Sequence, residues 1–301
     1  MPALGPALGR VVAAMATPFT TDGALDLDGA QRLADHLVNS GTQTVLVCGT
    51  TGESPTVTDD EQWRLLAAVR DAVGDRGTVM VGTGTNDTAK TVEATERATR
   101  EGADAIVLVT PYYSKPSQAG LLRHFTMAAE ATDRPVVLYD IPGRTSREIA
   151  EDTLVELASV PNIVAVKDAV GDLVKIGNVV NRTHGADGGF EVYSGDDINL
   201  LPMLAVGAVG IVSVAAHVAG REIADLVALA DTDLAKAREL HLRLLPFFQA
   251  LMLLEPNPAG LKGLLNHLGL PGGPVRPPLA DAPPEAVERI IAAYEAAGLS
   301  R

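Results

Sequence analysis

Along most of the chain, short apolar runs alternate with longer stretches in which apolar residues recur every three or four positions. The runs at 11–17, 44–48, 78–82, 105–109, 135–139, 163–167, 190–193 and 211–215 are rich in Val and Ile and show almost no polar alternation. That is the pattern of strands buried on both faces, as in parallel sheets. Helical spacing follows each run, at 26–39, 59–73, 88–100, 118–131, 150–159, 173–184, 199–206 and 219–230, with Ser117 placed to cap the fourth helix. Eight strand-helix units predict an α/β fold of the (β/α)₈ TIM-barrel type; a doubly wound open sheet is the structural alternative. After 231 the strands stop, and helices are expected at 234–252, 259–268 and 284–297, with PGGPVRPP (271–278) as a connector. The expected division is thus a catalytic barrel over 1–230 and a C-terminal helical region over 231–301.

One segment complicates this reading. From 200 to 220 there is no charged side chain, which by length alone would suit a membrane helix. Pro202, Gly207, Gly210, Ser213 and His217 interrupt it, so a short helix, a Gly turn and a strand account for it better.

Composition narrows the function. Asp and Glu total 38 against 24 Lys and Arg, a net charge of −14, which argues against nonspecific binding to nucleic acid or anionic membranes. Anionic substrates would have to meet local cations. The single Cys48 excludes an intrachain disulfide framework and fits a reducing, cytoplasmic setting; inside TVLVCG it reads as a buried, inert thiol. The six His show no metal-ligand spacing, so no metal site is expected. The N-terminal MPALGPALGR lacks the basic-then-apolar order of a signal peptide.

The run IVAVKDA (163–169) carries the sharpest chemical signal, because it sets Lys167 among apolar residues. Desolvation disfavours an ammonium and leaves a neutral amine able to attack a carbonyl, which is Schiff-base chemistry. The plainer alternative is that Lys167 lies at the strand's end and reaches solvent, with Asp168 as its ion-pair partner.

A barrel gathers chemistry at the C-terminal ends of its strands. There the sequence supplies GTTGES (49–54), GTGTN (82–86), TPYY (110–113), YDIPGR (139–144), SGDD (194–197) and Val212-Ser213. Gly49-Thr50-Thr51-Gly52 can offer backbone N–H groups and two hydroxyls to a carboxylate, or be an ordinary turn. Arg144 can clamp a second carboxylate or be a solvated surface residue, and Tyr139 either relays protons or satisfies a backbone group. Tyr113 is equally suited to a subunit interface. GTGTN lacks the third Gly of a dinucleotide fingerprint and the Lys of a P-loop, and reads as structural. Together the set suggests a class I aldolase-type condensing enzyme that needs no cofactor.

In GTTGES, VTPYYSKPSQ (109–118), LYDIPGRT (138–145), VAVKDA (164–169), SGDD and EPNPAGLK (255–262) the chain resembles the dihydrodipicolinate (4-hydroxy-tetrahydrodipicolinate) synthases, pyruvate-dependent class I aldolases of the N-acetylneuraminate lyase superfamily. The resemblance covers nearly the whole chain. It implies condensation of pyruvate with L-aspartate 4-semialdehyde in the diaminopimelate and lysine route, by a homotetramer built as a dimer of dimers. By the same resemblance Lys167 forms the Schiff base and Tyr139 donates and accepts protons, with Thr50 and Tyr113 completing a relay, Tyr113 from the neighbouring subunit. Thr51 and the backbone of Val212 contact pyruvate, Arg144 holds the semialdehyde carboxylate, and Gly195 lines the same pocket.

Two departures from the family pattern stand out. Asp140 occupies a position where many members have Asn and some have Asp. Feedback-inhibited members bind lysine with a His at the position of Asp59 and a Glu at that of Lys90, so weak or absent lysine inhibition is expected here. The competing readings are another pyruvate-dependent lyase, such as an N-acetylneuraminate lyase or a keto-deoxy sugar acid aldolase, which usually lack the Arg, and a noncatalytic anion-binding barrel.

Overall fold

The structure, a computed structural model, describes residues 8–183 and 189–300. The expected helix end at His184 and the first seven residues lie outside the described residues. Eight strands close into a barrel in chain order: β1 (Val11–Ala14), β2 (Thr44–Val47), β3 (Thr78–Gly82), β4 (Ala105–Val109), β5 (Val136–Asp140), β6 (Ile163–Asp168), β7 (Glu191–Ser194) and β8 (Gly210–Ser213). The closure rules out the open-sheet alternative. Between them run α1 (Leu27–Asn39), α2 (Asp59–Val73), α3 (Thr88–Arg100), α4 (Gln118–Glu130), α5 (Pro142–Thr145), α6 (Glu151–Leu157), α7 (Leu173–Thr183) and α8 (Leu200–Ala205). The chain ends in α9 (Ala216–Thr232), α10 (Leu234–Leu253), α11 (Ala259–His267) and α12 (Pro284–Ala296).

The contacts group the chain into two compact units, one built on residues 80–212 and the other on 11–79 with the chain from 213 onward. In the first, β4 to β7 pair in parallel, Ile106, Leu108, Val136, Leu138 and Ala165 are fully buried, and α6 packs on both α4 and α7. In the second, α1 packs on α2, α9 on β1, and α10 on both α9 and α12.

Capping follows the sequence closely. Asp26, Asp87 and Ser117 each accept backbone N–H groups at the start of α1, α3 and α4, and Thr58 with Glu61 forms a reciprocal capping box on α2.

Two boundaries differ from expectation by three residues each. β1 stops at Ala14 rather than at 17, because the Ala16 N–H donates to His217 Nε2 at 3.0 Å and the Thr17 hydroxyl donates to the Gly52 carbonyl at 2.7 Å. The last barrel helix starts at Ala216, three residues before the expected 219, and kinks at Ala219, where Gly220 comes so close to the Ser40 carbonyl that a Cβ would lie 2.4 Å from it. The uncharged stretch 200–220 divides into α8, β8 and the first turn of α9; among the described residues no helix is long and apolar enough to cross a membrane.

Candidate active site

The site starts from the pairing of β5 with β6, which sets Tyr139 beside Lys167 and Asp140 beside Asp168. Successive side chains of a strand point to opposite faces, so this register makes two rows, Tyr139 with Lys167 on one face and Asp140 with Asp168 on the other. Lys167 is 4% exposed, and its Nζ lies 4.0 Å from the centre of the Tyr139 ring. Burial pulls its pKa down to about 7, the Arg144 guanidinium acts in the same direction, and Asp197 opposes both. Near neutral pH a large fraction of Lys167 is therefore the free amine that can add to a carbonyl.

The solvent-reaching alternative for Lys167 does not hold. The strand continues through Asp168, and that carboxylate, on the opposite face, accepts the Val170 and Gly171 N–H groups at 3.0 and 3.1 Å.

Arg144 sits in α5, a single turn that replaces the simple Pro-Gly turn expected there. Its own N–H donates to the Ile141 carbonyl at 3.0 Å, and the side chain is exposed. Among the described residues no carboxylate is paired with its guanidinium, which leaves the planar fork available to an incoming one. Gly195 follows β7 and donates its N–H to the Asp168 carbonyl at 2.7 Å; a Cβ there would lie 3.0 Å from that oxygen, so any larger residue would have to push its neighbours back by a few tenths of an ångström. Val212 is buried in β8.

In the other unit, Thr50 and Thr51 follow β2 in a turn closed by hydrogen bonds from the Glu53 N–H to the Thr50 carbonyl at 3.1 Å and from the Ser54 N–H to the Gly49 carbonyl at 3.3 Å. Thr51 is buried and its hydroxyl accepts from Asn257 Nδ2 at 2.9 Å, which leaves the Thr51 proton free to donate. Cys48 is buried and its thiol is pushed up to about 12 by burial, which makes it inert.

Tyr113 stands apart: 88% exposed, at a positive φ of 71°. GTGTN serves the fold. A Cβ on Gly84 would meet the Val109 nitrogen at 2.4 Å, and the Thr83 and Thr85 hydroxyls bond to Thr95 and Thr91 on α3.

The model of the Dihydrodipicolinate synthetase family matches residues 7–297. A 4-hydroxy-tetrahydrodipicolinate synthase from Acidothermus cellulolyticus is 54% identical over 295 residues, covering 97% of this chain and 93% of the relative. The chain belongs to the dihydrodipicolinate synthetase family. Solved structures agree. A dihydrodipicolinate synthase from Cyanidioschyzon merolae with lysine bound superposes with a TM-score of 0.93 at 40% identity, covering 97% of this chain and 99% of that one. A chloride-inhibited enzyme from Acinetobacter baumannii complexed with pyruvate gives 0.91 at 34% identity, over 97% and 100%.

The roles carried over from the family motifs did not include two ionic clusters, one in each unit. Lys175 Nζ lies 2.8 Å from both Asp140 and Glu148. On α7 it falls in line with Val179 and Thr183 on the buried stripe, and this i, i+4, i+8 spacing is the one sequence signal that marks it as an inward-facing lysine. In the unit that carries the threonines, Lys262 pairs with Glu53 at 2.6 Å, and Arg276 reaches Glu61 with both Nη atoms at 2.7 and 2.5 Å while its backbone N–H donates to Glu53 at 2.9 Å. The connector 271–278 is thereby fastened to the turn that follows the Thr50-Thr51 pair.

Proposed function

We propose that this protein is a 4-hydroxy-tetrahydrodipicolinate synthase, a lyase that condenses pyruvate with L-aspartate 4-semialdehyde in the diaminopimelate and lysine route. The observation that carries the reading is Lys167, buried against Tyr139 with its pKa drawn to about 7. The free amine adds to the pyruvate ketone, and loss of water leaves the imine. Tyr139 moves the protons that this addition and dehydration require, with Thr50 and the Tyr113 of a neighbouring subunit as its relay.

Thr51 and the Val212 backbone bind the pyruvate end, and Gly195 lines the pocket. Arg144 receives the carboxylate of the aldehyde, where the second substrates of related lyases carry hydroxyls instead. The exposure of Tyr112 and Tyr113 supports a tetramer assembled as a dimer of dimers, in which these phenols are covered. A biosynthetic role of this kind supports a cytoplasmic location.

The test is turnover of the two substrates coupled to the next reductase, with Lys167→Ala alongside. Turnover that vanishes in the variant supports the reading. Borohydride trapping of pyruvate on Lys167 without turnover of the semialdehyde would keep the chemistry and move the assignment to a sugar-acid lyase. Failure to trap pyruvate at all would overturn the reading.

A further inference from the structure

The segment from 140 to 149 leaves β5, forms the single turn α5 that bears Arg144, passes through Ser146 at a positive φ of 59°, and returns toward α6. Its two ends meet. Both carboxylate oxygens of Asp140, at the outgoing end, accept the Ile149 N–H at 3.2 Å. Lys175 Nζ then donates to Asp140 and to Glu148, each at 2.8 Å, so one ammonium joins the first residue of the segment to its ninth.

The ammonium is itself held in place. Asp172 caps α7 by accepting the Lys175 backbone N–H at 3.1 Å, and Lys175 and Asp140 are 8% and 0% exposed in their side chains. Asp140 and Asp168 are register neighbours on adjacent strands, so without Lys175 two buried carboxylates would face one another uncompensated.

The rest of the segment is tied elsewhere. Arg147 donates to the Pro116 carbonyl at 2.5 Å, and Gln118 donates to the Glu148 carbonyl at 2.9 Å. Of the two arginines in 140–149, Arg147 is tied down on the flank, while Arg144 lies between a fixed neck and that flank.

We propose that Lys175 is a positioning residue for the second substrate: by bridging Asp140 and Glu148 across the neck of 140–149, it sets where Arg144 presents its guanidinium. The inference rests on the reading that Arg144 receives the aldehyde's carboxylate. Asp140 is fully buried, and Lys175 is its counter-ion. Lys175 touches no reacting atom, so its removal acts on the capture of the aldehyde and spares imine formation on Lys167.

The experiment is steady-state kinetics of the full-length enzyme with both substrates varied, plus borohydride trapping of pyruvate, on Lys175→Met, Glu148→Gln, Asp140→Asn/Lys175→Met and Arg144→Ala. Displacing a clamp by about an ångström moves binding or rate by about tenfold or more, so Lys175→Met should raise KM for aspartate 4-semialdehyde at least tenfold while KM for pyruvate and trapping change less than about twofold. Glu148→Gln, at a half-exposed position and thus gentle on folding, should raise the same KM about threefold. The double variant, which removes the stranded carboxylate together with its cation, should recover part of the loss.

Two results overturn the inference. One is an aldehyde KM unmoved in both Lys175→Met and Glu148→Gln while Arg144→Ala raises it. The other is a parallel fall of pyruvate and aldehyde parameters, which marks a merely structural role. An Arg144→Ala that leaves the aldehyde KM unchanged overturns the reading of Arg144 itself, and the inference with it.

Discussion

Two buried lysines stand on opposite faces of the same strand pair, and they are held in opposite states. Lys167 is 4% exposed against an aromatic face, and burial draws its pKa down to about 7. Lys175 is 8% exposed with two carboxylates at 2.8 Å, and although burial works against its charge, Asp140 and Glu148 together raise its pKa. Burial alone therefore does not decide what a lysine does; the partners admitted with it do. The one-residue alternation of β5 and β6 separates the two environments, giving Tyr139 to one lysine and Asp140 to the other. The partners of the two lysines, Tyr139 and Asp140, are thus adjacent residues of one strand.

The comparison breaks most sharply at Lys167. Lys167→Ala should lower turnover by at least about a thousandfold, because the covalent step has no substitute among paired lysines such as Lys175. Residual turnover within tenfold of the parent, in the coupled assay, would sink the distinction.

The state of the amine is open to titration. Below pH 7 Lys167 is mostly protonated and above it mostly neutral, so the rate of borohydride-trapped imine formation should rise through a midpoint near 7. Arg144 is a cation that lowers this pKa and Asp197 an anion that raises it, so Arg144→Ala should move the midpoint up and Asp197→Asn should move it down. A midpoint near the ordinary lysine value of about 10.4 would show that burial leaves the amine untouched.

On the other face the expected signature is stability. Lys175→Met leaves Asp140 buried without its cation, and breaking such a pair costs about 3 kcal/mol at pH 8. Asp140 is already raised to about 6 by burial, with Lys175 pulling it down, so in the variant it rises further. A carboxyl whose folded pKa lies above its unfolded value contributes stability at low pH and loses it as pH rises through the folded pKa. The deficit of Lys175→Met in denaturant unfolding should therefore be largest at pH 8 and shrink at pH 5; an equal deficit at both would contradict the account.

These contrasts also show what a sequence can disclose. The eight strands were legible because Val- and Ile-rich runs carry their own signal, and IVAVKDA announced Lys167 because an ammonium is out of place in such a run. The end of β1 was not legible, since the donor that would have extended the ladder goes to His217, some two hundred residues away. Lys175 was hidden for a related reason. A lysine in an amphipathic helix looks like a surface residue, and its partner Glu148 lies in an irregular segment with no period to read. The GTTGES motif drew attention to Thr50 and Thr51, while Asn257, which donates to Thr51, lies far along the chain and becomes a partner only through folding.

A third lysine extends the comparison to solvent, where the smallest effect is expected. Lys90 is exposed near the start of α3, and Asp59 is exposed at the start of α2. At the corresponding positions, feedback-inhibited members of the family carry a Glu and a His for the regulatory lysine. An exposed cation at the first position repels the ligand's ammonium, although solvent keeps the interaction within about 1 kcal/mol. Free lysine at about millimolar concentration should then leave turnover within twofold of its uninhibited value, and Lys90→Glu, which exchanges repulsion of that size for attraction, should increase sensitivity. Half-maximal inhibition of the parent enzyme at submillimolar lysine would mean that an exposed charge at this position does not govern the site, and that the pairing rule drawn from the two buried lysines stops at the protein surface.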